Sequence, residues 1–371
     1  MGQPKRFLVV GEGIWPWYVT AASDALRQLG YDVHEFHWAD TFKEFSPNEI
    51  EPHYRSQRHR VEERLGFGPI VTNLNRNLVH KAASVLPDYI LFYNVRLVHA
   101  RTVRTLRALL PNSVFGQYAN DNPFSSRASV GYWHHFKSSI PLFDLHFAYR
   151  LENLEDYRRR GARNVHLVRS YYLPNIDQRI PGPDIPESER SDVLFAGHFE
   201  PDGRLEALTS LADTGVKLRL HGGGWTPVLK NLPRSHPLRR QLPASPVVGH
   251  DYRIAISGTS IALCFLSTMN KDTYTRRNFE IPAIGTAVLS QYSNDLASLF
   301  REGKEIAFFR STEELLAQTQ RLLADPELCS RIASAGHKRV VSDGHDVVSR
   351  MKVVSRAFED ADQGLTKSSP H

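Results

Sequence analysis

Short apolar runs alternate with amphipathic segments along the first half of the chain, and this alternation constrains the fold more than any other feature. "RFLVV" (Arg6 to Val10) reads as a buried strand, "YVTAASDALRQLG" as a helix closed by Gly30, and "YDVHEFHW" as the next strand. The pattern continues through "DYILFYNV", a helix after Ala100, "SVFGQY", "DLHFAY" and the helical "NLEDYRRRGA". Apolar strands joined by helical crossovers form a parallel sheet with helices on both faces.

The alternation is interrupted once. "LPNIDQRIPGPDIPESERS" gathers four prolines and a glycine with little apolar content, the composition of a linker. It then restarts with "SDVLFAG", a helix from Arg204, "VKLRLHG", "ISGTSIALCFL", "TAVLSQ" and "EIAFF". The expected organisation is a Rossmann-like domain over 1–172, a linker over 173–190, a second Rossmann-like domain over 191–358 and a disordered tail over 359–371. The terminal helices, through "VVSRMKVVSRAFEDA", are expected to close the second domain. A length of 371 residues with 41% hydrophobic content accommodates two such cores. Two open α/β domains in tandem are expected to face each other across a ligand-binding cleft.

Two cysteines, Cys264 and Cys329, without metal-ligand spacing argue against a disulfide framework or a structural zinc, and point to a cytoplasmic protein. No apolar window has the length of a signal peptide core or a membrane span. A formal charge of +6 favours anionic partners: nucleotides, phosphorylated substrates or, peripherally, an acidic membrane face. Nucleic acid is not expected, because no basic run is interleaved with aromatics.

"DTYTRRNFEIPAIGTAVLS" (Asp272 to Ser290) carries the most chemistry. A short helix whose start bears Arg276, Arg277 and Glu280 presents cations and free backbone N–H groups to phosphate oxygens, with Glu280 one turn in to accept from a diol such as ribose. A capped surface helix with an ordinary ion pair is the alternative. "EIPAIGTAVLS" resembles a segment of GT-B glycosyltransferases of the family 4 type, and the seven residues between Asp272 and Glu280 resemble their Glu-x7-Glu motif with Asp in first place. "RNFEIPAIG", "SLFREGKEIAFF" and "DPELCSRIASAGHKRV" are more similar still to the spore-maturation CgeB-like glycosyltransferases. Ala287 stands where family 4 usually has proline.

The resemblance implies a GT-B enzyme whose Glu280 contacts the donor ribose, with Arg276 and Arg277 at the diphosphate and Asp272 toward the donor sugar. It further implies that Gly197 and Arg204 of "FAGHFEPDGR" face the diphosphate, and that the base lies near His250 and Tyr252. In "HGGGW", Gly223 and its neighbours let backbone approach a ligand, and Trp225 offers a ring face to a base or sugar, a flexible hinge being the alternative. Gly11 and Gly13 of "VVGEGIWPWY" line the cleft by the same resemblance; Pro16 breaks a dinucleotide fingerprint. In "QYANDNPF", Asp121 is the candidate for orienting or deprotonating an acceptor hydroxyl, against an Asx turn before Pro123. The expected activity is transfer of a sugar from a nucleoside diphosphate sugar, UDP- or GDP-linked, without a metal or other cofactor. A nucleotide-sugar 2-epimerase and a non-catalytic nucleotide-sugar binder share the fold and remain open.

Overall fold

A computed structural model describes residues 3–44, 52–125 and 131–368. The chain forms two compact units, Met1–Ser170 with Val347–His371, and Tyr171–Asp346.

The first unit runs β1 (Arg6–Gly11), α1 (Val19–Gln28), β2 (Asp32–His37), β3 (Lys43–Glu44), β4 (His53–Tyr54), α2 (Gln57–Leu65), α3 (Pro69–Val85), β5 (Tyr89–Tyr93), α4 (Ala100–Leu109), β6 (Val114–Ala119), α5 (His134–Ser139), β7 (Leu145–Ala148), α6 (Leu151–Arg158) and β8 (Asn164–Leu167). Six strands pair in the order β2-β1-β5-β6-β7-β8, every neighbour parallel. Both faces of such a sheet must be covered, which is why Phe7 to Val10 are apolar without alternation and fully buried. Leu8, Val10, Ile90 and Phe92 meet Val71, Leu74 and Leu78 of α3 and Val103 and Leu106 of α4.

The second unit runs β9 (Ser191–Ala196), α7 (Arg204–Asp213), β10 (Leu218–His221), α8 (Trp225–Asn231), α9 (Gly249–Ser257), β11 (Thr259–Cys264), α10 (Arg277–Ile284), β12 (Ala287–Gln291), α11 (Asn294–Leu299), β13 (Ala307–Phe309), α12 (Thr312–Ala324) and α13 (Pro326–Ser342). Its parallel sheet has the order β10-β9-β11-β12-β13. Helices α12 and α13 contribute Leu315, Leu322, Cys329 and Ile332 to its core.

Three expectations change. The last helix, α14 (Val347–Ser368), packs on α1, β6 and β7 of the first unit and does not close the second. Phe358 fits beside Phe7, Tyr89 and Phe147, and a Cβ on Gly116 would lie 2.5 Å from its ring. The expected tail from 359 onward is helical to Ser368, because Asp362 accepts from Tyr89 at 3.1 Å and pairs with Lys5 at 3.0 Å. Residues 369–371 lie outside the described residues. The proline-rich stretch is no free tether either: Ile180 and Ile185 are buried, and the Ile180 amide donates to Ser257 Oγ at 2.9 Å. Among the described residues no helix is long and apolar enough to cross a membrane.

Candidate functional site

In an open parallel sheet, the loops leaving the carboxyl ends of the strands collect functional groups. In the second unit the loop after β11 feeds α10, with Arg276 as the cap residue. Asn278 fastens this start: its side-chain oxygen accepts from the Thr275 amide at 2.8 Å, and its amide group donates to Ser290 Oγ at 3.1 Å. Pro282 lies inside the helix, and Gly285 closes it at φ +88°, where a side chain would be strained. The Gly285 amide bonds back to Ile281 at 3.1 Å, and β12 begins two residues later.

This turn brings Glu280, Arg276, Arg277 and Tyr252 together. Glu280 is 7% exposed and ion-paired with Arg276 one turn earlier. The same guanidinium lies 3.9 Å from Asp177, itself buried and accepting from the Leu173 amide at 2.7 Å. Burial pushes the Glu280 carboxyl up to about 7; Arg276 and Arg277 pull it down, and Asp177 adds to the rise. Asp177 is raised by burial as well, with Arg276 and Arg253 opposing. The Tyr252 phenol stands beside Glu280, held well above its ordinary value by burial. Among the described residues Arg277 makes no hydrogen bond or ion pair, although its charge acts on Glu280, Tyr252 and Cys264. The cluster therefore offers a carboxylate acceptor, a phenol and an uncommitted cation at one helix start.

Other expected donor residues have different surroundings. Arg204 is 4% exposed, and its guanidinium forks onto Asp202 at 2.7 and 2.6 Å, donates to the His198 carbonyl at 2.6 Å and lies 3.7 Å from Glu200. Its guanidinium is engaged inside the β9–α7 loop. Trp225 offers no exposed face: it is fully buried and donates to the Gly197 carbonyl at 2.8 Å. That bond, with Gly197 N to His221 O at 2.9 Å and Phe199 N to Gly223 O at 2.9 Å, stitches the "FAGHFEPDGR" and "HGGGW" loops into one wall. A Cβ on Gly222, at φ +145°, would fall 1.9 Å from the Gly197 oxygen, so glycine is required where the two loops touch. His250 is exposed in the first turn of α9, and Asp272 lies in the loop before α10, its amide bonded to Ser267 O at 2.9 Å.

In the first unit Gly11 and Gly13 are explained by packing. A Cβ on either would fall 2.3 Å from a neighbour, Val19 of α1 for Gly11 and the His37 ring for Gly13. Asp121, just past β6, is half-buried and accepts from Asn94 Nδ2 at 3.1 Å. Its neighbour makes the turn: the Asn122 side-chain oxygen accepts from the Phe124 amide at 3.0 Å. Glu12 is nearby, raised by burial and opposed by Lys43 and Arg96, with Asp121 among the carboxylates acting on it. Arg96 is held by buried Glu63, to which Lys43 also approaches at 3.5 Å. Asn94 adopts φ +52°, a strained backbone at the end of β5.

Residues 204–355 match a family described as glycosyl transferase-like, which spans the Glu280 cluster. No curated protein sequence matches the chain. Solved structures align over nearly its whole length. A sucrose-phosphate synthase from Thermosynechococcus elongatus has a TM-score of 0.64 at 15% identity, covering 96% of this chain and 100% of that one. HepE of Anabaena in complex with UDP-glucose has a TM-score of 0.63 at 12% identity, covering 96% and 99%. A glycosyltransferase from Rickettsia africae has a TM-score of 0.66 at 11% identity, covering 99% and 100%. The fold is GT-B. Its two Rossmann-like sheets are the two units described above, and the GT-B chain returns to its first sheet through α14.

Sequence reasoning missed Asp177, whose setting reads as linker, and the Glu12, Glu63 and Arg96 group. The available signal for Asp177 was its place between the apolar Ile176 and Ile180 in a proline-marked stretch.

Proposed function

We propose that this GT-B protein is a glycosyltransferase of the CgeB-like, family 4-like type that moves a sugar from a nucleoside diphosphate sugar, UDP- or GDP-linked, to a hydroxyl acceptor. The observation that carries the reading is the buried Glu280 at the start of α10, beside Arg276 and the uncommitted Arg277, inside the segment that matches glycosyl transferases. Glu280 accepts from the ribose hydroxyls; Arg277, with Arg276 drawn off its carboxylate partners, neutralises charge developing on the leaving diphosphate. Tyr252 lines the same side, and the amide-rich start of α10 adds partial positive charge. Asp121 of the first unit orients or deprotonates the acceptor hydroxyl, which belongs to a glycan, a lipid-linked saccharide, a small molecule or a protein. The Asp272 to Glu280 spacing favours retention of anomeric configuration. The mechanism needs no metal, since cationic side chains and a helix start carry the leaving group, and the reaction is placed in the cytoplasm.

The test is product analysis on the purified chain with a panel of UDP- and GDP-sugars. Transfer releases nucleoside diphosphate only when acceptor is present. Epimerisation changes the sugar without transferring it to an acceptor, an outcome worth separating because a Listeria monocytogenes structure described as a UDP-N-acetylglucosamine 2-epimerase also aligns, with a TM-score of 0.60. A non-catalytic binder gains thermal stability from the nucleotide and makes no product. Full activity in excess chelator is the expected result; loss restored by magnesium or manganese refutes the leaving-group argument.

A further inference from the structure

Helix α2 is amphipathic in the wrong sense for a surface helix. Its two carboxylates, Glu62 and Glu63, are buried, whereas Val61, Leu65 and the following Phe67 are 52%, 59% and 54% exposed. The inward acids have definite work. Glu62 accepts from the Ile70 amide at 2.7 Å, at the start of α3, and from Arg58 at 2.9 Å; Glu63 holds Arg96. With both acids turned in, the outer face of α2 keeps an apolar ridge, Val61 and Leu65 one turn apart, with exposed Arg60 and Arg64 in a stripe along one side of it. Gly66, at φ +72°, turns the chain so that Phe67 extends the ridge, its ring edge resting on His135 at 4.6 Å. The nearby Glu44 is already neutralised by Arg55 at 2.8 Å.

We propose that this face of α2, Val61, Leu65 and Phe67 with Arg60 and Arg64 beside them, is the surface by which the protein docks on an anionic lipid bilayer. Charge decides the occupant. A second copy related by a two-fold axis would set these arginines against themselves, with no exposed acid on α2 to answer them. A helix face with exposed apolar side chains and a stripe of cations alongside matches an interface whose headgroups are negative and whose acyl region lies just beneath. The inference stands apart from the sugar-transfer reading, because it is read by partition and not by turnover.

The experiment is co-sedimentation of the full chain with vesicles made of equal parts phosphatidylglycerol and phosphatidylcholine, against vesicles of phosphatidylcholine alone. The chain is expected to partition onto the anionic vesicles, to leave them as salt is raised, and to ignore the neutral ones. Each interfacial arginine is worth about fivefold, so Arg60→Gln with Arg64→Gln lowers the partition coefficient by roughly 25-fold. Leu65→Ser with Phe67→Ser lowers it as well, at an unchanged melting temperature. Arg104→Gln with Arg163→Gln, an equal loss of charge at exposed positions elsewhere on the first unit, changes it by no more than about twofold. The proposal is overturned if the chain stays in the supernatant, if it binds both vesicle types alike, or if the remote pair matters as much. It is equally overturned if sedimentation velocity shows a dimer that Leu65→Ser with Phe67→Ser dissociates.

Discussion

Glu280 should make the second unit less stable in alkaline solution, and replacing it by glutamine should remove that weakness. Burial raises its carboxyl from the ordinary 4.5 to about 7. Below about pH 4.5 the group is neutral in both folded and unfolded chains, and its contribution to stability is fully present; it is lost as pH rises through about 7. The rise corresponds to about 3 kcal/mol by the end of that window. For a unit the size of Tyr171–Asp346, this is a fall in melting temperature of roughly 6 to 12 °C. Glu280→Gln keeps the volume and loses the titration, so its melting temperature should match the wild type near pH 5 and exceed it near pH 8.5. Asp177 has the same sign and the same arginine neighbour, so the comparison is the wild-type change across pH minus the variant change. Thermal melts of both proteins between pH 5 and 8.5, monitored by circular dichroism, supply it. If the variant loses as much between those limits as the wild type, or is the less stable protein at pH 8.5, burial does not raise the carboxyl and the electrostatic account of the site fails.

Glu280→Ala should weaken nucleotide binding by about 1 to 3 kcal/mol in calorimetry; unchanged affinity removes the ribose contact. Asp121→Asn should cut turnover by about a hundredfold to ten-thousandfold while nucleotide affinity and melting temperature stay put. Near-normal turnover in a stable protein excludes it from the reaction. Arg204→Ala should destabilise by about 3 to 5 kcal/mol because it strands the carboxylate of Asp202 in a buried loop. Arg277→Ala should leave stability alone and weaken nucleotide binding; the reverse outcome for these two arginines would restore Arg204 as the phosphate ligand.

What could be read from the sequence followed from local periodicity. Runs such as Phe7 to Val10 are apolar at every position because both sheet faces are covered, and that is visible without knowing what covers them. The helix of α14 was equally visible through Met351, Val354 and Phe358, but its destination was not, since an apolar stripe does not name the sheet it will meet. Arg276, Arg277 and Glu280 were legible as one turn of helix. The partner Asp177 lies about a hundred residues away in sequence and meets them only through the fold. The carboxylate partners of Arg204 were legible in its own neighbourhood, since Glu200 and Asp202 sit within four residues. Trp225 illustrates the same limit, because a glycine run that suggests open backbone can equally allow two loops to close on each other.

The return of α14 makes the second unit an insertion within the first. On a ribosome, Tyr171–Asp346 is complete while the earlier sheet still lacks its last helix. Until residue 358 emerges, the slot at Gly116 is empty and the rings of Phe7, Tyr89 and Phe147 have no cover on that side. The nascent chain must therefore carry an exposed apolar sheet face through the whole synthesis of the second unit, a window in which trigger-factor-type chaperones that shield apolar surface would have their natural substrate.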